Sequence, residues 1–201
     1  MKNKKVLLIL ILLGLLVFVG CGDNKEKEKT TDDKFANKVE VKMDIKDYGT
    51  ITLELYPDVA PITVENFVSL VKGKFYDGLT FHRIIDGFMI QGGDPKGNGS
   101  GGSDKTIKGE FKSNGYDNPL KHERGVISMA RNSYDKNSAS SQFFIMHKTD
   151  SYLDGNYAAF GRVTSGIEIV DKICQDTPVE DDNGTVLKEN QPIIERVYIV
   201  E

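Results

Sequence analysis

The chain has 201 residues, 39% of them hydrophobic and 28% charged, with a formal net charge of −4 at neutral pH. That size and composition suit one globular domain with its own core and some chain left over. A net acidic chain lacks the basic face that nucleic-acid binding requires, and two cysteines are too few for a disulfide scaffold.

Lys2, Lys4 and Lys5 precede a run over residues 6–20 that has no charged or polar side chain. The run is shorter than the ~20 residues of a permanent membrane span. A basic start followed by a short apolar middle predicts a secretion signal. The run ends Phe18-Val19-Gly20-Cys21, which resembles the lipobox of bacterial lipoproteins, with Phe18 in place of the usual Leu. The resemblance implies cleavage before Cys21 and a lipid on its sulfur. The competing reading is an uncleaved anchor with an incidental Cys. Either way the domain is expected outside the cytoplasm, tied to a membrane. Losing the three lysines would take the formal charge from −4 to −7. With Cys21 lipidated, Cys174 has no partner for a disulfide, and its apolar helical setting predicts a small core residue. Residues 21–38 are rich in Lys, Glu, Asp and Asn and predict a disordered tether. The domain is expected over residues 39–201.

Val39, Val41, Met43 and Ile45 alternate with polar residues, as do Ile51, Leu53 and Leu55, so two strands joined by a hairpin turn are predicted. Val64, Phe67, Val68 and Val71 recur at helical spacing, with Pro61 near the start and Gly73 past the end. Residues 81–85 and 88–91 are apolar runs split by Asp86-Gly87, a strong turn signal. Residues 97–102 form a glycine-rich loop. Residues 125–130, 142–146, 158–163 and 193–200 predict further strands. Ser165-x-x-Glu168 has the form of a capping box, and Ile169, Val170 and Ile173 give a second helix its apolar face. Many strands with two helices predict a closed or sandwiched β core with the helices at its ends.

The glycine loop fits G-x-G-x-x-G in form, but no helix pattern opens on its last Gly, so a phosphate site is not expected. Close approach of backbone to other groups is the better reading of those glycines. His82, His122 and His147 do not stand at metal-ligand spacing from one another or from Cys, so no metal site is expected, and His122 and His147 read as surface or edge residues. Residues 180–184 are acidic, lack the ligand pattern of a calcium loop, and read as a solvated turn. Arg83 is the anomaly, because it lies among Phe81, Ile84, Ile85, Phe88, Met89 and Ile90. A charge there must be paired or exposed. Gln91 and Gln142 are amides in similar surroundings. Arg83, the two amides and the aromatics could form an apolar pocket with a few polar groups. The pattern offers no nucleophile–base pair.

These residues resemble the cyclophilin family. Residues 81–94, Phe-His-Arg-Ile-Ile-Asp-Gly-Phe-Met-Ile-Gln-Gly-Gly-Asp, are similar to the family signature almost throughout, with Asp86 where many members have Pro. Ser128-Met129-Ala130, Ser141-Gln142-Phe143-Phe144-Ile145, Leu153-Asp154-Gly155 and Phe160-Gly161 match further blocks, and the similarity covers residues 39–201. It implies a closed eight-stranded antiparallel β-barrel capped by two α-helices, and cis–trans isomerisation of X–Pro bonds without a cofactor. It places Arg83 as the catalytic arginine. Phe88, Met89, Phe144 and Leu153 would line a proline pocket, Gln91 would support Arg83 and the substrate, and Ala130 and Gln142 would flank the groove. Tyr152 stands where many members have Trp and Tyr157 where many have His, so weak cyclosporin inhibition with retained activity is expected. Arg131 stands in place of a common Asn, with little effect expected. The implied partners are proline-containing peptides and unfolded exported proteins, bound by a monomer. The alternatives are a non-catalytic module that grips proline segments and a solute-binding lipoprotein, for which the domain is too small and too rich in strands.

Overall fold

The computed structural model describes residues 35–200. The signal, Cys21 and most of the tether lie outside the described residues. Strand β1 (Val39–Ile45) and strand β2 (Gly49–Leu55) each bury alternate side chains, Val41, Met43 and Ile45 against Ile51, Leu53 and Leu55. They pair antiparallel from Val39 opposite Leu55 to Ile45 opposite Gly49. Helix α1 spans Pro61–Lys72 and turns Thr63, Val64, Phe67 and Val71 inward. Strands β3 (Phe81–Ile85), β4 (Met89–Gly92), β5 (Val126–Met129), β6 (Phe143–Met146) and β7 (Ala159–Ser165) follow. Helix α2 (Ile167–Asp176) and strand β8 (Ile194–Ile199) complete the order. Phe67 of α1 packs between the rings of Tyr76, Phe143 and Phe160, with centroids 4.9, 5.7 and 5.2 Å away. This aromatic cluster lies in the core behind the functional face.

The eight strands form one antiparallel sheet in the order β3-β4-β6-β5-β7-β2-β1-β8. It curls into a half-barrel and does not close, contrary to the sequence expectation. The residues just before the edge strands β3 and β8 meet at an isolated bridge, Thr80 with Ile193, flanked by bonds from Phe81 N–H to the Pro192 carbonyl and from Ile194 N–H to the Leu79 carbonyl. Pro192 has no N–H to extend a ladder there. The outer edge of β3 is taken instead by the segment before β8. Ile84 N–H donates to the Gly184 carbonyl (2.8 Å) and Val186 N–H to the His82 carbonyl (3.1 Å).

The helix ends differ from the sequence pattern. Ser165 ends β7, and the N-cap of α2 is Gly166, with no side-chain cap. Gly166 has φ +86°, and a Cβ there would stand 2.6 Å from the Thr50 carbonyl oxygen, so the chain can enter α2 only through glycine. The capping box is therefore not formed. Helix α1 also lacks a local cap. Its first N–H groups, Ile62 and Thr63, donate to the carboxylate of buried Glu110 at 3.0 and 2.8 Å, which supplies negative charge where the helix dipole favours it.

Residues 35–38 make contacts with the domain. Phe35 packs on Tyr56 at 4.8 Å, Asn37 donates to Asp58, and Lys38 pairs with Glu54 at 3.0 Å.

Candidate active site

The β3–β4 hairpin and β6 form the floor of a cavity of about 240 Å³, lined by Arg83, Phe88, Met89, Gln91, Ala130, Arg131, Phe144, Leu153 and Tyr157. The floor follows from register. Arg83 pairs with Gln91, and Gln91 with Phe144, across adjacent strands, so alternation presents the guanidinium, the amide and the ring on one face. Phe88 sits in the β3–β4 turn. Its N–H reaches the Ile85 carbonyl (3.0 Å), and its own carbonyl accepts from His147 N–H (2.8 Å) and Lys148 N–H (3.2 Å). The turn is thus sewn to the end of β6.

Arg83 is half-buried. Its Nε donates to the Asn183 carbonyl (2.8 Å), Nη2 to Asn183 Oδ1 (3.0 Å) and Nη1 to Gln91 Oε1 (3.3 Å). No carboxylate among the described residues is paired with it. Burial pulls its pKa below the usual guanidinium value, against the opposite pull of Tyr157 and Asp181, and an arginine so placed remains charged. The acidic stretch 180–184 is therefore more than a solvated turn. Asp181 accepts from Thr185 N–H (3.0 Å) and Thr185 Oγ1–H (2.9 Å), which shapes the turn so that Asn183 faces Arg83. Gly184, at φ +78°, brings the turn so close to β3 that a Cβ would fall 2.2 Å from the Ile84 carbonyl oxygen.

The amides form a directed relay. Gln91 Nε2 donates to Gln142 Oε1 (2.9 Å), and Gln142 Nε2 donates to the carbonyls of Gly101 (2.7 Å) and Gly99 (3.0 Å). Gln91 thus keeps its oxygen for Arg83. The glycine loop that anchors the relay is itself held by buried Asp94, which accepts from the N–H groups of Lys96 (2.8 Å), Asn98 (3.1 Å) and Gly99 (2.6 Å). Burial would raise the Asp94 pKa, but these backbone donors more than offset it and the net shift is downward. A Cβ on Gly101 would lie 2.0 Å from Asp94 Oδ1, as the close-approach reading of the loop expects.

Phe144 is held from two sides. Tyr157 meets it edge-on at 5.8 Å, and the His122 ring stacks on it at 6.0 Å. His122 is buried, not at the surface as its sequence setting suggests. It bonds Asp154 through Nδ1 (3.0 Å) and Ser128 Oγ through Nε2 (3.0 Å), and burial depresses its pKa despite the opposing pull of Asp154. His147 is likewise buried, against the sequence expectation.

Two rim positions differ from what the resemblance implies. Tyr152 does not line the cavity, and 90% of its surface is exposed. Arg131 does line it. Its guanidinium lies over the rings of Tyr157 (4.7 Å) and Phe111 (5.2 Å), and its Nε donates to the Asn156 carbonyl at 3.0 Å. Gln142 lies one step along the groove, in an adjoining polar cavity of about 210 Å³ shared with Gln91, Ala130 and Arg131. Reasoning on the sequence missed Asn183, His122 and the wall role of Arg131. The glycine that ends the acidic run was the only signal for the first.

Residues 40–200 match the family model described as cyclophilin type peptidyl-prolyl cis-trans isomerase. The chain is a cyclophilin. The cyclophilin domain is 46% identical over 145 residues to peptidyl-prolyl cis-trans isomerase B of Bacillus subtilis, covering 72% of this chain and 92% of that one. It is 46% identical over 134 residues to a peptidyl-prolyl cis-trans isomerase of Helicobacter pylori, 66% of this chain and 79% of that one. In structure it is similar to a cyclophilin-type isomerase of Cryptosporidium parvum crystallised in the presence of the dipeptide Ala-Pro, with TM-score 0.70 and 31% identity over 81% of this chain and 99% of that one. Family membership makes this cyclophilin a peptidyl-prolyl isomerase.

Proposed function

We propose that this isomerase turns X–Pro bonds by binding the twisted peptide through Arg83, and that it serves proline-containing segments of exported proteins from a lipid anchor on Cys21. The observation that carries the chemical part is the Arg83 guanidinium, fixed by Asn183 and Gln91 in a cavity that Phe88, Met89, Phe144 and Leu153 also line. Rotating an X–Pro bond breaks amide resonance, and the peptide barrier is ~18–20 kcal/mol. Unaided, the exchange takes roughly tens to hundreds of seconds. As the bond twists, the prolyl nitrogen becomes pyramidal and regains a lone pair. A donor aimed at that nitrogen binds the twisted state better than either planar one, and this difference is what accelerates the exchange. No covalent bond forms or breaks, so neither a nucleophile nor a cofactor is needed.

Phe88, Met89, Phe144 and Leu153 would hold the proline ring while the preceding residue turns. Gln91, Ala130 and Gln142 would take the peptide backbone along the groove, and Tyr157 and Arg131 would close its rim. The domain would act as a monomer. The basic start, the apolar run and Cys21 support the extracytoplasmic placement. A protease-coupled assay on a short X–Pro peptide tests the catalytic reading. Turnover abolished by Arg83→Ala supports it, whereas tight proline-peptide binding without turnover in the native protein would leave only a gripping module. The mass of the mature protein tests the anchor. A diacylglycerol-modified Cys21 at the N-terminus is expected, and an unmodified, uncleaved chain would contradict it.

A further inference from the structure

Arg83 and Gln91 also line a further groove, of about 670 Å³, which shares none of Phe88, Met89, Phe144 or Leu153 with the cavity that holds them. One wall is the glycine loop over residues 96–99, the other is the stretch 183–188, and His82 of β3 lies at the floor. Gln191 ties the two walls together. Its Nε2 donates to the carbonyls of Gly97 (2.8 Å) and Val186 (2.9 Å), and its Oε1 accepts from Thr80 Oγ1–H (2.5 Å).

The charge of this groove runs against that of the chain. Arg83, Lys96 and Lys188 line it and no Asp or Glu does, although the chain carries a formal charge of −4. Both lysines are exposed, and neither has an ion-pair partner among the described residues. The carboxylates next to its walls are already spent, Asp94 on the N–H groups of the glycine loop and Asp181 on Thr185. Asp182 and Glu189 neighbour the second wall in sequence and do not line the groove. At the floor, His82 is only 5% exposed, and neither of its ring nitrogens has a hydrogen-bond partner among the described residues. A Cβ on Gly99 would stand 3.7 Å from Nε2, so that nitrogen lies directly beneath the glycine loop. Burial pulls the His82 pKa down against the opposing charge of Asp94, and a neutral imidazole keeps one N–H. That donor is unspent, and burial penalises it until something accepts it.

We propose that this groove binds the carboxylate of an Asp or Glu side chain that flanks the X–Pro bond in the client segment, with Lys96 and Lys188 supplying the charge and His82 the buried donor. On the reading that Arg83 faces the turning bond, the groove lies beside that bond, so a residue near the proline reaches it while the ring fills the pocket of Phe88 and Phe144. Two unpaired lysines favour a carboxylate over an amide and repel a cation. The glycines of the loop let the backbone over His82 shift to admit an acceptor. The groove thereby selects among X–Pro bonds by the charge of their neighbours, a choice that the apolar pocket cannot make.

The test uses the full chain and Ala-Pro peptides blocked at both ends, with Glu, Gln or Lys placed in turn at each position flanking the Ala-Pro pair. At one position the Glu peptide should bind at least about 3-fold more tightly than the Gln peptide in low-salt calorimetry, and the Lys peptide more weakly than either. The preference should shrink toward unity in about 0.5 M salt. In the double variant Lys96→Gln, Lys188→Gln, two changes at exposed positions outside the catalytic set, it should vanish, while affinity and turnover for the Gln peptide stay within about twofold of native. Turnover of the Gln peptide checks the catalytic reading separately. Its absence in the native protein would sink that reading and leave the affinity ratio to test the groove. No position at which Glu outbinds Gln, or a preference that survives the double substitution, would overturn the proposal.

Discussion

The floor of the cavity and its rim are held by different means. On the floor, Arg83, Gln91 and Phe144 stand on three paired strands, and register alone puts them on one face. On the rim, Arg131 and Tyr157 are placed by a guanidinium stacked on rings and by bonds to loop carbonyls, while Tyr152 projects into solvent. A strand-borne group keeps its position when a neighbour changes, because the ladder fixes it. A loop-borne group depends on the few contacts that hold its loop. Changes to the floor should therefore act on the chemistry, and changes to the rim on which ligands bind.

The largest effect is expected from Arg83→Ala, which should lower turnover on a short X–Pro peptide by at least ~10²-fold, about 2.7 kcal/mol of barrier. Near-normal turnover in a folded variant would erase the distinction between floor and rim. Phe88→Ala removes apolar wall worth roughly 1.5–3 kcal/mol when filled. It should raise KM about tenfold or more, with a smaller change in kcat, in steady-state assays. Gly184→Val places a β-branched residue at positive φ against the Ile84 carbonyl. It should cost about 1–3 kcal/mol in urea unfolding and reduce kcat by loosening Asn183 from Arg83.

A pH effect separates the buried histidines from the exposed rim. Burial depresses both His82 and His122, in each case against the pull of a nearby aspartate. The unfolded chain takes up these protons below its ordinary value of 6.5 while the folded chain does not. Their contribution to stability is therefore complete above that pH and is lost as pH falls toward the depressed folded values. The urea midpoint should drop between about pH 7 and pH 5, and His122→Gln should flatten that slope. A slope unchanged by the substitution would contradict the placement of His122. The smallest effect is expected at Tyr152. Tyr152→Trp should tighten cyclosporin inhibition and leave kcat/KM unchanged.

The period of two showed the strands in advance, and the resemblance to the cyclophilin family, carried by residues 81–94 and the later blocks, implied which side chains would meet at the cavity. Arg83, Phe88, Met89, Gln91 and Phe144 all line the cavity, as do Ala130, Leu153 and Tyr157. What the sequence hid depends on distance. Asn183 reaches Arg83 across 100 positions, and Gln142 reaches Gln91 across 51. No local pattern records such a meeting. Local patterns also misled. Ser165 and Glu168 have the spacing of a cap, but Gly166 takes the cap position because only a residue without Cβ passes Thr50. The expected barrel stays open because the turn around Gly184 takes the outer edge of β3, and Pro192, which has no N–H, interrupts pairing with the chain before β8. His147 reads from the sequence as a surface or edge residue, yet it is buried beside Asp86 and Cys174.

The central claim is that Arg83 binds the twisted peptide in preference to the planar ones. Exchange spectroscopy on a saturating X–Pro peptide measures interconversion of the bound cis and trans forms directly. In Arg83→Ala the interconversion rate on the enzyme should fall by at least ~10²-fold, while the affinities for both isomers stay close to those of the native protein. A variant that binds both isomers weakly yet interconverts them at the native rate would contradict the claim.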